Sequence, residues 1–252
     1  MKLLTLARDL QRRKAREKHS LFVAEGVRSV EELLRSGLTV RGALVAPQLA
    51  SAPRGEALRA RLDQSRVEIA ELSEKDFRSA AETESPQGVI AIGEVPSRSL
   101  DTLQISDVCR ILVLDAVQDP GNVGTIVRTA AALGATATVA LPGTVDLWNP
   151  KVIRSSMGAQ FHHFALHAEW AGLLGLLGRE SIELWAADAQ GEPLDKTRAV
   201  KRVAIVVGNE GSGLSPDVRA RADRTISLPI ADSVESLNVA VAAGIILHEL
   251  RP

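Results

Sequence analysis

The chain has 252 residues and a net charge of −1, with 45% hydrophobic and 24% charged side chains. This composition is typical of a globular protein with one large domain or two modest ones. A single cysteine, Cys109, excludes an intramolecular disulfide and a cysteine-based metal cluster. No apolar run reaches the roughly 18 residues that span a bilayer, and the N-terminus lacks the features of a signal peptide, so we expect a cytoplasmic protein without a membrane partner.

Short apolar runs alternate with helical patterns over the first part of the chain, which predicts a small α/β domain over residues 1–95. The predicted elements are a basic helix to about Lys18, a strand over Leu21–Ala24, a helix over Val27–Arg35, a strand over Val40–Val45, a helix over Arg54–Gln64, a strand over Val67–Ala70, a short helix after Ser73 and a strand over Val89–Ile92. Residues 96–107 contain few apolar side chains and are predicted to be a linker.

The first twenty residues carry seven basic side chains against two acidic ones. Since the chain as a whole is not basic, a nucleic-acid partner would have to be contacted locally. Two interpretations of this segment stay open, a solvated helix face and a nucleic-acid contact surface.

The second part of the chain, residues 108–252, contains apolar, β-branched runs separated by helical segments. The predicted strands are Ile111–Leu114, Ala137–Leu141, Leu184–Ala187, Val203–Val207 and Thr225–Leu228. Strands that are apolar on both faces and alternate with helices are typical of a parallel sheet covered on both sides. Ligands of such sheets bind beyond the carboxyl ends of the strands, and three of the loops that follow strands here carry unusual polar residues.

The first of these loops follows Ile111–Leu114 and leads into a helix. Asn122 suits the helix N-cap, Gly124 permits close backbone approach, and Arg128 lies six residues after Asn122. The arginine is long enough to reach back toward the loop. The same residues also fit ordinary turn chemistry and a surface arginine.

A glycine-rich loop follows Val203–Val207 and reads GNEGSGLSP over residues 208–216. Ser215 and Pro216 fit the N-cap and the first residue of a helix. The spacing differs from the dinucleotide fingerprint GxGxxG, which argues against an ordinary nucleotide-dependent enzyme of doubly wound fold. Glu210 is instead a carboxylate held at the end of a strand.

The third loop ends at Ser236 and Asn238, where an almost wholly apolar helix begins and runs through Ile246. Either residue suits the cap of a buried helix, which is a purely structural role. The position beyond a strand end equally suits a functional site.

Taken together, the three loops resemble the three motifs of the SpoU (TrmH-like) family of RNA ribose 2′-O-methyltransferases in the SPOUT superfamily. The motifs are NxGxxxR from Asn122, GxExxG from Gly208 and SLNV from Ser236, complete and in order. The resemblance covers about residues 110–250. The stretch FVAEG at 22–26 and the elements up to Val45 are similar, more loosely, to the ribosomal-protein-like RNA-binding domain that often precedes the catalytic domain.

The resemblance implies an α/β fold: a C-terminal parallel-sheet domain with a trefoil knot, preceded by the small ribosomal-protein-like domain. It implies S-adenosylmethionine as the methyl donor, RNA as the substrate and no metal. It also implies a homodimer, with the apolar helix from Val239 to Leu250 as a contact surface. Two positions depart from the family pattern, because Asp232 stands where glycine is frequent and Ala240 where serine is frequent.

The resemblance also assigns roles to residues of this chain. The implied catalytic cluster is Arg128, Asn122, Glu210, Ser236 and Asn238. The implied donor-binding residues are Gly208, Asn209, Gly213, Leu228, Ile230 and Leu237. The N-terminal residues expected to contact RNA are Arg12, Arg13, Lys14, Arg16, Lys18, Glu25 and Arg28.

Arg128 is an unsuitable general base, because a guanidinium keeps its proton in proteins. We therefore expect it to bind phosphate and to stabilise the developing alkoxide of a ribose. The separate N-terminal domain favours ribosomal RNA as the substrate, with transfer RNA as the alternative. A non-catalytic RNA-binding protein that retains the fold is the other hypothesis, and the complete set of motif residues argues against it.

Overall fold

The computed structural model describes residues 2–194, 200–231 and 233–251, so Asp232 lies outside the described residues. The chain forms two compact units. The first comprises the residues up to Ser97 together with Trp148–His162, and the second comprises Arg98–Leu147 and the residues from His163 onward. Within the described ranges, no helix combines the length and the apolar character needed to cross a bilayer.

The first 97 residues form a four-stranded mixed sheet with helices. The elements are α1 (Leu3–Asp9), α2 (Arg13–His19), β1 (Leu21–Glu25), α3 (Val27–Arg35), β2 (Val40–Val45), α4 (Pro53–Asp63), β3 (Ile69–Glu71), α5 (Glu74–Arg78) and β4 (Val89–Glu94). The strand order is β1-β4-β2-β3. Strand β4 is antiparallel to both β1 and β2, whereas β2 and β3 are parallel.

The predicted basic helix to Lys18 is wrong in one respect, because two helices occupy this segment. Arg12 has an extended backbone, with φ −91° and ψ 133°, and separates α1 from α2. Leu10 is fully buried at the break. Its carbonyl accepts a hydrogen bond from the Arg16 guanidinium at 2.8 Å, as does that of Gln11. A buried arginine therefore satisfies the backbone where the helix stops.

The rest of the described chain contains a six-stranded sheet in the order β10-β8-β9-β5-β6-β7. The elements are β5 (Cys109–Leu114), α6 (Pro120–Ala132), β6 (Ala137–Ala140), α7 (Pro150–Ser155), α8 (Ala159–His162), β7 (Ala165–His167), α9 (Trp170–Glu180), β8 (Glu183–Pro193), β9 (Arg202–Val207), α10 (Pro216–Arg221), β10 (Arg224–Ser227) and α11 (Val239–Glu249). Every neighbouring pair is parallel, which confirms the predicted parallel α/β sheet.

The segment Trp148–His162 packs with the first unit, although it lies between strands of the second in sequence. The ring of Phe22 in β1 stacks on Trp148 at a centroid distance of 4.6 Å and on Phe161 at 5.5 Å. Phe22 is fully buried and Phe161 nearly so. The core of the first unit thus depends on aromatic side chains supplied from beyond residue 97.

Strand β8 is longer than the predicted strand Leu184–Ala187 and interrupts its pairing with β10. Thr225 pairs with Ala186, but the next residue, Ile226, pairs with Glu192. Residues 187–191 therefore leave the ladder, and we call them the β8 excursion. Gly191 is the last residue of the excursion, and it lies so close to β10 that a Cβ there would be 2.6 Å from the backbone carbon of Ile226. The excursion lies at the same edge of the sheet as the three polar loops.

Candidate active site at the carboxyl ends of the parallel strands

The first motif begins in a tight turn at the end of β5. Asp119 is the N-cap of α6, and its carboxylate accepts a hydrogen bond from the backbone N–H of Asn122 at 2.8 Å. The expectation that Asn122 caps this helix is therefore wrong. Pro120 occupies the first helical position, so the cap is the residue before it, Asp119. Asn122 consequently lies within the first turn, with its side-chain amide free for other contacts.

The glycine-rich loop after β9 is closed by its own backbone. Asn209 and Gly213 exchange two backbone hydrogen bonds of 2.9 and 3.0 Å. Gly208 is required at this point because a Cβ there would lie 2.5 Å from the backbone carbon of Gly213. The side chain of Asn209 donates to the carbonyl of Ala116 at 2.8 Å, which fixes the loop to the turn after β5. Ser215 caps α10, as predicted.

The third loop delivers Asn238 to the N-terminus of α11. Its Oδ1 accepts hydrogen bonds from the backbone N–H groups of Ala240 at 2.9 Å and Val241 at 3.4 Å. The predicted capping role is therefore confirmed for Asn238. Because the cap uses Oδ1, the amide nitrogen of Asn238 points away from the helix and is available as a donor.

Hydrogen bonds join all three motifs. The Nδ2 of Asn238 donates to Oδ1 of Asn122 at 3.0 Å, and Nδ2 of Asn122 donates to Oε1 of Glu210 at 3.0 Å. The orientation of each amide follows from its neighbours, since α11 offers only donors at one end and an ionised carboxylate only accepts at the other. Three loops that are far apart in sequence thus form one polar chain.

Glu210 anchors this chain to the start of α6. Its carboxylate also accepts the backbone N–H groups of Gln118 at 3.3 Å and Asp119 at 3.2 Å. Partial burial raises the pKa of Glu210, but the hydrogen bonds from Asn122 and the backbone outweigh it and hold the pKa below its ordinary value. Glu210 is therefore ionised at neutral pH and poorly suited to take up a proton.

A cavity of about 470 Å³ opens beside the polar chain. All six residues predicted to bind the donor line it, as do Glu210, Ser236 and Asn238. Ligand pockets of proteins span about 300–1,000 Å³ and combine apolar walls with a few polar groups. The apolar part of this wall includes Leu214, Ile226, Leu228, Ile230, Leu237 and Val239. The carboxylates of Asp188 and Glu210 are also part of the wall, and that of Asp188 pairs with Arg219.

Arg128 stands apart from the other residues of the predicted cluster. It is exposed on α6, and within the described part of the chain it makes no hydrogen bond or ion pair. Glu210 does not contact Arg128 in the described structure; it accepts hydrogen bonds from Asn122 and from the start of α6. Ser236 is exposed at the cavity, likewise without a hydrogen bond to another described residue. Both side chains are available to a second molecule.

The residues predicted to contact RNA divide into three groups. Arg16 is buried against backbone carbonyls, and Glu25 is buried with its carboxylate accepting the N–H groups of Glu82 and Thr83, so these two are structural. Arg12 and Arg13 form exposed ion pairs with Asp9 and Glu17, respectively. The exposed cations without an ion-pair partner among the described residues are Lys14, Lys18 and Arg28.

Several residues that shape the site were not predicted from the sequence. Asp119 caps α6, and the buried Asp115 accepts the backbone N–H of Ser215 at 2.6 Å. Asp188 belongs to the β8 excursion and lines the cavity. Pro120 could have indicated the cap, because proline favours the first helical position. The glycine at 191 could have indicated the irregular strand, because glycine within a strand often marks a bulge. No group of three or more His, Cys, Asp or Glu side chains in the described residues could hold a metal.

Parallel strands whose loops enclose a cavity at their carboxyl ends define a small-ligand-binding α/β domain. The sequence model described as the SpoU rRNA Methylase family matches residues 110–248, and the MRM3-like substrate binding domain matches residues 5–91. The chain belongs to the SpoU rRNA methylase family. The predicted family, α/β fold class and methyltransferase class are confirmed, whereas the knot stays a prediction.

Relatives and solved structures extend this comparison. The 23S rRNA (guanosine(2553)-2′-O)-methyltransferase RlmP of Bacillus subtilis is 34% identical over 97% of this chain and 94% of its own. The 23S rRNA (uridine(2479)-2′-O)-methyltransferase of Streptomyces viridochromogenes is 30% identical over 95% and 85%, respectively. The structure of the SpoU methyltransferase AviRb from Streptomyces viridochromogenes in complex with AdoMet superposes with a TM-score of 0.90, at 28% identity over 99% of this chain and 97% of AviRb.

Proposed function

We propose that the chain transfers a methyl group from S-adenosylmethionine to a ribose 2′-hydroxyl of ribosomal RNA. The observation that carries this proposal is the polar chain Asn238–Asn122–Glu210 beside the cavity, with Arg128 exposed on the same helix as Asn122. Ribosomal RNA is favoured over transfer RNA because the relatives RlmP and the uridine(2479) enzyme, which match nearly the whole chain, are named for 23S rRNA. Their target nucleotides differ, so the shared motifs do not determine the nucleotide.

The cavity fits S-adenosylmethionine in size and chemistry. Apolar side chains such as Leu228 and Ile230 suit the faces of an adenine, and Gly208 adds backbone to the wall of the cavity. The carboxylate of Glu210 suits a positively charged ligand. When bound, S-adenosylmethionine supplies an electrophilic methyl group on a sulfonium, and the C–S bond breaks as the ribose oxygen forms the new C–O bond.

The residues of this chain contribute mainly alignment and charge. Asn238, Asn122 and Glu210 fix the three loops relative to one another, so the cavity is ordered before RNA binds. Arg128 places a permanent positive charge where it can bind a phosphate and stabilise negative charge developing on the 2′-oxygen. The hydroxyl proton passes to water, because Arg128 is cationic and Glu210 is a weak base.

Incubation with labelled S-adenosylmethionine tests the choice of substrate. We expect label to enter ribosomal RNA that lacks modifications at a rate at least about tenfold above that for unmodified transfer RNA, since single polar contacts commonly give such discrimination. Preferential labelling of transfer RNA would overturn the choice of RNA. Binding of ribosomal RNA without any labelling, in protein shown to bind the donor, would favour the non-catalytic alternative.

A titration experiment tests the role of Glu210. Because the pKa of Glu210 is depressed in the folded protein, its hydrogen bonds persist above its ordinary value of 4.5 and are lost as the pH falls through the lowered pKa. The contribution of Glu210 to donor affinity should therefore be constant from pH 5 to 8. Glu210→Gln should weaken donor binding about tenfold, because an amide N–H₂ then faces the N–H of Gln118. The variant should also lack the fall in donor affinity that is expected of the wild type at low pH. Identical pH profiles for the two proteins would contradict this role.

We further propose that Lys14, Lys18 and Arg28 contact RNA phosphates, supported by their exposure and lack of ion-pair partners in the described structure. Each phosphate contact steepens the salt dependence of binding by about 0.7–0.9 in log–log slope. Replacing all three by alanine should therefore flatten the slope by about two to three.

The matched control for this experiment replaces three other exposed cations of the same unit, Arg61, Arg66 and Lys75, by alanine. It removes the same charge elsewhere and should leave the salt slope nearly unchanged. Equal changes in both triple variants would show that overall charge, rather than this surface, determines the affinity.

We also propose that the protein is a homodimer in which α11 contributes to the interface. Val241 and Ile245 lie four residues apart on one face of α11 and are 51% and 38% exposed. They line a groove between α6 and α11 with Thr125, Thr129 and Leu133. Exposed apolar side chains that adjoin in this way are typical of an association surface.

Ile245→Lys should convert the dimer to a monomer in analytical ultracentrifugation at micromolar concentration, because an unpaired charge would be buried in the interface. Val108→Lys is the matched control, since Val108 is 41% exposed and lies before β5 rather than on α11. It should leave the dimer intact. A wild-type protein that sediments as a monomer would contradict the proposal.

A further inference from the structure

One wall of the cavity is formed by a segment that lacks sheet pairing. Asp188 lies in the β8 excursion and lines the cavity, with its side chain only 13% exposed. One oxygen of its carboxylate accepts the backbone N–H of Gln190 at 3.0 Å. The other lies 2.5 Å from a guanidinium nitrogen of Arg219. Asp188 thus shapes its own turn with one oxygen and contacts α10 with the other.

Arg219 contacts the opposite wall of the cavity. Its Nε donates to the carbonyl of Leu214 at 3.3 Å, and Leu214 ends the glycine-rich loop. A second guanidinium nitrogen lies 3.4 Å from the position that a Cβ would take on Gly213. Gly213 and Leu214 both line the cavity. One arginine on α10 therefore bridges the β8 excursion and the glycine-rich loop.

The glycine-rich loop is held by its own backbone hydrogen bonds and by the side chain of Asn209, but the β8 excursion would otherwise be loosely determined. The excursion has no ladder hydrogen bonds to β10 between Ala186 and Glu192. Ordering such segments when a ligand binds reduces the affinity, and a contact that orders them beforehand removes that loss. The ion pair is largely buried on the Asp188 side and half exposed on the Arg219 side, so solvent screens it less than a fully exposed pair.

We infer that Arg219 and Asp188 are positioning residues for the methyl-donor cavity: their ion pair holds the β8 excursion against the glycine-rich loop and sets the width of the cavity before the donor binds. This inference rests on the proposed function. It assigns a role in donor affinity to two residues outside the three sequence motifs. The pair acts through the shape of the wall, so binding of S-adenosylmethionine and of the product S-adenosylhomocysteine, which lacks the positive charge on sulfur, should depend on it equally.

Isothermal titration calorimetry on the full chain tests the inference. Arg219→Ala and Asp188→Asn should each raise the dissociation constant for S-adenosylmethionine about tenfold, and the double variant should be no weaker than either single variant, because one interaction is lost in all three. Arg219→Lys retains the charge but has a single nitrogen in place of the two that contact Asp188 and Leu214, so it should recover only part of the affinity. Arg221→Ala is the matched control, an exposed arginine two residues along α10, and should stay within about twofold of the wild type.

Two further readouts separate positioning from a general loss of structure. The KM for RNA, and kcat at saturating donor, should be unchanged in Arg219→Ala, whereas the KM for the donor should rise about tenfold. The thermal unfolding midpoint should change little, since the arginine is half exposed.

Several results would overturn the inference. An unchanged dissociation constant for Arg219→Ala, additive losses in the double variant, or a fall in kcat with unchanged donor KM would each do so. If Asp188→Asn lost affinity for S-adenosylmethionine but not for S-adenosylhomocysteine, Asp188 would recognise charge directly rather than position the wall. Failure of the wild-type protein to bind either compound would overturn the proposed function itself, which distinguishes the two failures.

Discussion

Arg128→Ala should lower kcat for methyl transfer about a thousandfold, because removing a charge that stabilises the transition state typically costs two to three orders of magnitude in rate. The dissociation constant for the donor should be unchanged, since Arg128 does not line the cavity. Stability should also be unchanged, because the side chain is exposed and makes no hydrogen bond or ion pair within the described residues. Single-turnover kinetics with saturating donor and RNA measures the effect on the chemical step.

Two variants make this result specific. Arg128→Lys retains a positive charge but loses the planar, bidentate guanidinium, so it should recover only part of the rate. Arg221→Ala removes an exposed arginine on α10 and should behave as the wild type. An Arg128→Ala protein that retained more than about a tenth of the wild-type rate would contradict the assigned role.

Phe161→Ala should reduce the free energy of unfolding by about 3–5 kcal/mol, the usual range for deleting a buried aromatic ring. Phe161 is 2% exposed and stacks on Phe22, which is itself fully buried in β1. The destabilisation should appear in the first unit even though the substituted residue lies within the stretch that matches the methylase family model. Hydrogen exchange should therefore show loss of protection in β1 and β4, and urea denaturation should give the size of the effect.

Met157→Ala provides the control for this variant, because Met157 belongs to the same segment but is 36% exposed. Its effect on stability should stay within about 0.5 kcal/mol. A loss of protection confined to β5, β6 and β9 in Phe161→Ala would show that the segment belongs energetically to the second unit. The same contacts imply that cutting the chain near residue 97 would leave Phe22 without its stacking partners Trp148 and Phe161.

The parallel sheet and the position of the site could be predicted because both depend on local signals. Apolar runs mark the central strands, and their carboxyl ends necessarily meet at one edge, so Asn122, Glu210 and Asn238 were expected near one another. The capping role of Asn238 followed from its place before an apolar helix. What the pattern did not determine was which side chain bonds to which, since that depends on the register of strands and the lengths of turns.

The features that were missed depend on non-local packing. Nothing near Phe161 in the sequence indicates that its ring stacks on Phe22, because the two are brought together only by the folded chain. The burial of Arg16 at the break between α1 and α2 could not be predicted, because the other basic residues near it in sequence are exposed. The β8 excursion arises from a shift in pairing with β10, and a strand pattern read residue by residue cannot show a pairing shift.

Nucleoside mass spectrometry of RNA after methyl transfer tests the central claim most directly. Ribosomal RNA without modifications is incubated with the full chain and isotopically labelled S-adenosylmethionine, digested to nucleosides, and compared with RNA treated with Arg128→Ala. We expect label on the ribose 2′-oxygen of one nucleoside and none with the variant. Label on a base instead of a ribose, or equal ribose labelling by the wild type and Arg128→Ala, would contradict it.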